Sequence, residues 1–127
     1  MDEAGVRAAL QRYIDHSGAG DEDRASEIYH DDAVLEFPQS GERFDGVANF
    51  REWRRIYPAE VELEIVRIRG AGDVWVAEMR ARYNGGAWLF GPAIYEFRGD
   101  KVARETIYVA EAWEAPEWRA KWRATDG

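Results

Sequence analysis

The 127-residue chain contains no cysteine. Disulfides, thiolate nucleophiles and cysteine-ligated zinc are therefore excluded. Histidine is scarce: only His16 and His30 occur. Their spacing is not that of a ligand set, so no metal is expected. Long apolar runs are missing too, and none approaches the ~18 residues of a membrane-spanning helix. The opening Met1-Asp2-Glu3-Ala4 is acidic and lacks the apolar region of a signal peptide, which makes the cytoplasm the expected compartment. Basic residues are the minority, 17 Lys and Arg against 25 Asp and Glu, for a net charge of −8. Nucleic-acid binding rests on neutralising phosphates, so neither nucleic acid nor an anionic membrane is an expected partner. The chain also lacks a dinucleotide fingerprint, a phosphate-binding loop, a nucleophile elbow and a zinc-protease helix. Nucleotide binding and serine-type catalysis have nothing to rest on, and no cofactor is expected.

What is present is an ordinary globular composition, 46% hydrophobic and 33% charged. At this length one domain over residues 1–127 is expected, burying roughly two-thirds of its unfolded surface. Six Trp, six Tyr and five Phe exceed what a small core requires. Such an excess suits a pocket wall or a protein interface.

Along the chain, Val6, Ala9, Leu10, Tyr13, Ile14 and Ser17 form the stripe of an amphipathic helix near Glu3 to Ser17, with Asp2 as cap and Gly18 as stop. Tyr13 faces inward, either as a core aromatic or as a phenol presented to a ligand. A short second helix is expected from about Glu22 to Tyr29, with Ala25, Ile28 and Tyr29 on its buried side. Asp31-Asp32 ends it, and Ala33 to Phe37 reads as a strand stopped by Pro38. After a turn at Gln39 to Glu42 and a brief return at Arg43-Phe44, Asp45-Gly46 starts a third helix reaching about Tyr57. Its apolar side is Val47, Phe50, Trp53, Ile56 and Tyr57.

Glu60 to Arg69 alternates as a strand, but the phase slips between Ile65 and Val66, the mark of a β-bulge that bends a sheet. Val74 to Tyr83 is the next strand. One face carries Trp75, Ala77, Met79, Ala81 and Tyr83. The other carries Val74, Val76, Glu78, Arg80 and Arg82, which suits water or a second subunit, or a polar cluster in the pocket if the register shifts by one. Asn84-Gly85-Gly86 signals a hairpin. Ala87 to Phe97 and Lys101 to Val109 form a last hairpin turned at Arg98-Gly99-Asp100. On its second strand Ala103, Glu105, Ile107 and Val109 share a face, so Glu105 stands alone as an acid among apolar neighbours. A two-residue loop pairs Arg98 with Lys101 and sets Glu105 opposite Ile94. A three-residue loop with a bulge pairs Arg98 with Val102 and sets Glu105 opposite Tyr95. A last helix opens at Ala115-Pro116-Glu117. Its Trp118 and Trp122, with Trp113 before it, pack onto the sheet, cover the pocket or meet a partner.

Gln11-Arg12-Tyr13-Ile14, Ala19-Gly20-Asp21, Tyr29-His30-Asp31-Asp32-Ala33-Val34 and Glu36-Phe37-Pro38, in this order and spacing, resemble the SnoaL-like branch of the nuclear transport factor 2-like superfamily. The resemblance implies an α+β fold shaped as a cone. A curved, mostly antiparallel sheet wraps three N-terminal helices around an apolar pocket, a short C-terminal helix follows, and the outer sheet face commonly forms a homodimer. Members include ketosteroid isomerases, polyketide cyclases, epoxide hydrolases, dehydratases and non-catalytic modules, so the fold does not settle the activity. The isomerases' hydrogen-bond-donating tyrosine falls on Tyr13. Their base falls on Phe37 and their protonated acid near Ala93, so steroid isomerisation is not expected. The epoxide hydrolases' strand aspartate falls near Ile107, one inward position after Glu105.

Two classes of function follow. In the first, a small hydrophobic, oxygen-bearing ligand undergoes isomerisation, cyclisation or dehydration by proton transfer. Glu105 shuttles the proton, Tyr13 polarises the oxygen, and Phe37, Trp53, Met79, Trp88, Tyr95 and Ile107 form the walls. Burial raises a carboxylate's pKa toward the range in which it can exchange protons. His16 is a candidate second base or a surface histidine. In the second class, the domain only binds an apolar ligand or dimerises.

Overall fold

Residues 1–125 are described by a computed structural model of the chain. Helix α1 spans Glu3–Gly18, and the Asp2 side chain accepts its cap hydrogen bond from the Gly5 N–H at 2.8 Å. Val6, Ala9 and Leu10 are its buried face. Helix α2 is one turn, Glu22–Ala25, capped by Asp21, and a 3₁₀ turn follows at Ser26–Ile28. Strand β1 then runs Tyr29–Phe37, β2 Glu42–Asp45 and helix α3 Val47–Arg55. The long strands are β3 Val61–Ala71, β4 Val74–Tyr83, β5 Leu89–Arg98 and β6 Lys101–Ile107, followed by a short β7 at Ala110–Glu111. A 3₁₀ turn covers Glu117–Trp122.

The seven strands among the described residues form one curved, mixed sheet of order β2-β1-β6-β5-β4-β3, with β7 pairing β5. All neighbours are antiparallel except β1 and β6, which run parallel with Leu35 beside Glu105. The expected α+β cone is the observed class. Helices α1 and α3 fill its concave side, and Val6, Leu10, Leu35, Phe50 and Val102 are fully buried between them and the sheet. Each such side chain contributes about 1.5–3 kcal/mol relative to exposure.

Two irregularities shape the sheet. The β3–β4 register runs Ile65↔Met79 and then Arg67↔Glu78, which leaves Val66 as the expected bulge, 60% exposed. The β5–β6 hairpin combines the two anticipated registers. Arg98 pairs with Lys101 across a two-residue turn, yet Tyr95 faces Glu105, because the ladder slips between Glu96 and Phe97. Ala103 is the extra residue. Val102 and Glu105 consequently point to the same interior, three positions apart, where strict alternation would have separated them.

Three sequence readings are corrected. Tyr29 begins β1 instead of ending a helix: the chain straightens immediately after the 3₁₀ turn, and Tyr29 pairs with Val102. Helix α3 stops at Arg55, so Ile56 is 74% exposed and not part of the apolar side. The C-terminal turn is 3₁₀ and does not pack on the sheet; Trp113, Trp118 and Trp122 are 78%, 74% and 69% exposed.

Candidate functional site

Between the helices and the sheet lies a cavity of about 210 Å³. Its walls are mainly apolar, and its polar groups come from both the helices and the sheet. Tyr13 and Ser17 sit one turn apart on α1, Glu22 opens α2, Arg54 is on α3, and Tyr95 and Glu105 face each other across β5 and β6. Phe37, Trp53, Met79 and Ile107 also line it. Trp88 does not. Its ring lies against the guanidinium carbons of Arg80 and Arg82, at 4.2 and 4.5 Å. Those arginines pair with Glu64 and Glu62 on β3, so cation–π stacking holds Trp88 over this charged ladder and away from the cavity. The ladder and the Glu78 pairs with Arg67 and Arg69 also settle the register of β4, so Glu78 does not enter the pocket. His16 lies in a separate depression beside Arg12 and Arg24, and His30 meets the Arg98 carbonyl.

Glu105 is the one buried charged side chain among the described residues, 3% exposed. Its Oε1 accepts a hydrogen bond from the Tyr29 hydroxyl. Arg54 Nη1 in turn donates to that hydroxyl oxygen at 2.9 Å. Tyr29 is buried behind the cavity wall, so it holds the carboxylate from the rear while Glu105 still lines the cavity. Arg54 is wedged among aromatic faces, its guanidinium carbon 5.4 Å from the Tyr13 ring centre, 5.5 Å from Tyr29 and 5.3 Å from Phe50. This arrangement supplies the partners that a half-buried cation requires.

The electrostatics follow from burial. Desolvation raises the pKa of Glu105 above the ordinary carboxylate value, against the Arg54 charge and the Tyr29 and Tyr95 hydroxyls, which favour ionisation. Tyr13 is raised by burial, with the charge of Glu105 adding and that of Arg54 opposing. Burial lifts Tyr95 further, again helped by Glu105. Both phenols are therefore neutral hydrogen-bond donors at ordinary pH, and Arg54 keeps its charge. Such a set can take a proton at Glu105 and steady a nearby oxygen at Tyr13. Among the described residues no cluster of His, Asp and Glu could hold a metal ion. No helix among them is long and apolar enough to cross a membrane.

Sequence reasoning missed Arg54, Tyr29 and Glu22. Arg54 had a signal: it follows Val47 and Phe50 at i+7 and i+4, on the buried stripe of α3. An arginine there needs a partner, and the Tyr29 hydroxyl provides it. Tyr29 was hidden by its assignment to a helix. Glu22 carries no sequence signal beyond a first-turn acid.

The SnoaL-like domain family matches residues 10–105 of the chain. An NTF-2 like protein of unknown function from Burkholderia xenovorans is 40% identical, with 98% of each chain covered and a TM-score of 0.87. A Kribbella flavida protein provisionally assigned as a ketosteroid isomerase is 23% identical over 98% of this chain and 91% of that one, with a TM-score of 0.81. An LEH-like epoxide hydrolase from M. tuberculosis is 17% identical over 84% and 83%, with a TM-score of 0.72. The last two likenesses show the fold alone. No curated protein matches the chain.

Proposed function

The chain belongs to the SnoaL-like family, and on that premise we propose that it binds a small hydrophobic molecule bearing a carbonyl or related oxygen and acts on it by proton transfer. The observation that carries this reading is Glu105: a carboxylate buried in an apolar cavity, held from behind by Tyr29 and still part of the cavity wall. A carboxylate so placed removes a proton from a carbon next to the substrate carbonyl. Electron density moves to the carbonyl oxygen as the proton reaches Glu105, and the Tyr13 hydroxyl donates a hydrogen bond to the resulting enolate. Return of the proton from Glu105 to another carbon gives isomerisation; its delivery to a hydroxyl on the neighbouring carbon, which leaves as water, gives dehydration; its delivery to the alkoxide formed when the enolate attacks a second carbonyl gives cyclisation. Arg54 acts through Tyr29. By donating to that hydroxyl it fixes the direction in which Tyr29 donates to Glu105. Isomerases, a cyclase and an epoxide hydrolase share this fold, which supports an enzymatic role.

Phe37 and Ala93, the positions at which the isomerases carry base and acid, contribute apolar surface to the cavity. That observation favours a second reading, a domain that binds such a ligand without turning it over. The test is Glu105→Gln and Tyr13→Phe, with binding and turnover measured against a panel of ketones, polyketides and terpenoids. Proton transfer at Glu105 requires Glu105→Gln to lose about 10²–10⁴ in rate while binding survives. Binding unchanged in both variants with no turnover in the parent establishes the second reading. The reading also includes a cytoplasmic homodimer through the outer sheet face, where Val76, Ile94 and Thr106 form a row across β4, β5 and β6.

A further inference from the structure

The cavity holds a second carboxylate that proton transfer at Glu105 does not use. Glu22 lies at the junction of two spaces. It lines the inner cavity, and with Ser17, Arg54, Tyr57, Val61 and Leu63 it lines the groove that continues outward between α1 and β3. Its backbone is set by the Asp21 cap at the start of α2. One carboxylate oxygen, Oε1, accepts from the Ser17 hydroxyl at 2.7 Å, which fixes the rotamer. The other, Oε2, is buried and has no hydrogen-bond partner among the described residues. An unmatched buried carboxylate oxygen is costly, since such groups normally accept at least one hydrogen bond. An acid held in place on one oxygen, with the other unmatched, in a residue that lines both spaces, is an acceptor site for a donor.

We propose that Glu22 is a second recognition point, which accepts a hydrogen bond from a hydroxyl or protonated amine on the ligand whose carbonyl oxygen addresses Tyr13. This rests on the cavity reading above and narrows it: Glu22 sits on the Ser17 hydroxyl one turn beyond Tyr13, so the substrate is bifunctional and carries a donor as well as the acceptor oxygen. A purely hydrocarbon ketone leaves Oε2 unmatched and is the poorer ligand. Trp53, whose indole N–H is likewise buried and unpartnered among the described residues, also lines the cavity.

The test uses three probes on one skeleton: 1-tetralone, 6-hydroxy-1-tetralone and 6-(aminomethyl)-1-tetralone, titrated calorimetrically into the parent protein, Glu22→Gln and Glu22→Ala. The expected result is at least about tenfold tighter binding of one donor-bearing probe over 1-tetralone in the parent, the size of a charge-assisted hydrogen bond. Glu22→Ala removes that preference, so that its affinities for the donor-bearing probes and for 1-tetralone become equal, and an unchanged far-ultraviolet dichroism spectrum shows that the variant is folded. Glu22→Gln separates the two donors: it retains a preference for the hydroxyl and abolishes one for the ammonium. Equal binding of all three probes by the parent overturns the inference while the cavity reading stands. So does a preference that persists in Glu22→Ala. Absence of binding by any probe to the folded parent overturns both.

Discussion

Glu105 shows how one side chain can set the pH response of a fold. Its folded-state pKa lies above the ordinary value because burial disfavours the carboxylate. A raised pKa means that the folded protein holds this proton more tightly than the unfolded chain does. The stabilisation is thus complete below the unfolded value of about 4.3, and is lost as pH rises through the folded value. Glu105→Gln cannot titrate, and its carbonyl still accepts from Tyr29. The melting temperature of Glu105→Gln relative to the parent should therefore climb as pH rises out of the ordinary carboxylate range, then level off above the folded-state value. Asp32 and Glu78 shift the opposite way. Hydrogen bonds from Arg98 and Arg67 hold them below the ordinary range, but both proteins carry them and they cancel in the difference. A melting difference flat between about pH 4 and 8 would show that Glu105 is not desolvated as described.

At the scale of the element, the hairpin of β5 and β6 governs the site, and its tightest point is Gly91. A Cβ there would lie 1.7 Å from the Tyr108 carbonyl oxygen and 2.7 Å from its carbon. Both are backbone atoms of the segment that the Tyr108 N–H ties to the Pro92 carbonyl at 3.1 Å, so they cannot swing aside as a side-chain tip would. Gly91→Ala is expected to cost about 1–3 kcal/mol or more and to lower the melting temperature by several degrees. Gly18, where an added Cβ would meet nothing within 4 Å, is the control; Gly18→Ala should be neutral or slightly stabilising. The same hairpin shows where pattern reading stops. Apolar alternation identified Glu105 as the odd residue on its face, and both candidate loops were sound local chemistry. The chain uses the short loop and adds a bulge at Ala103. That choice places Glu105 against Tyr95. It depends on packing with β1, where Leu35 lies beside Glu105 from far back in the chain, and a local pattern cannot report such a partner.

For the molecule as a whole, the outer sheet face is the surface left to explain. Its charges are largely paired within the chain: Arg80 with Glu64, Arg82 with Glu62, Arg104 with Glu36. The row Val76, Ile94 and Thr106 lies among them, with Phe90 and Tyr108 45% and 40% exposed nearby. A face of matched ion pairs around a largely apolar strip is compatible with a copy of itself. Sedimentation at micromolar concentration should give about twice the 14.6 kDa chain mass. Ile94→Arg, which buries an unmatched charge in such an interface, should return the monomer while leaving the far-ultraviolet dichroism unchanged. A parent protein that sediments as a monomer discards the outer-face homodimer.

Sequence alone determined most element types, the family, the bulge in β3 and the singling out of Tyr13 and Glu105 as polar groups on apolar faces, because these follow from periodicity, capping and turn chemistry that act over a few residues. Only the tertiary structure decided what surrounds Glu105. Tyr29 from β1, Arg54 from α3 and Tyr95 from β5 converge on it across 76, 51 and 10 positions of chain, and Glu22 lines the same cavity from a one-turn helix. A buried charge is stabilised by whichever partners the fold brings within hydrogen-bond reach, and that distance is a property of the curved sheet and the helices packed on it, not of the linear order of residues.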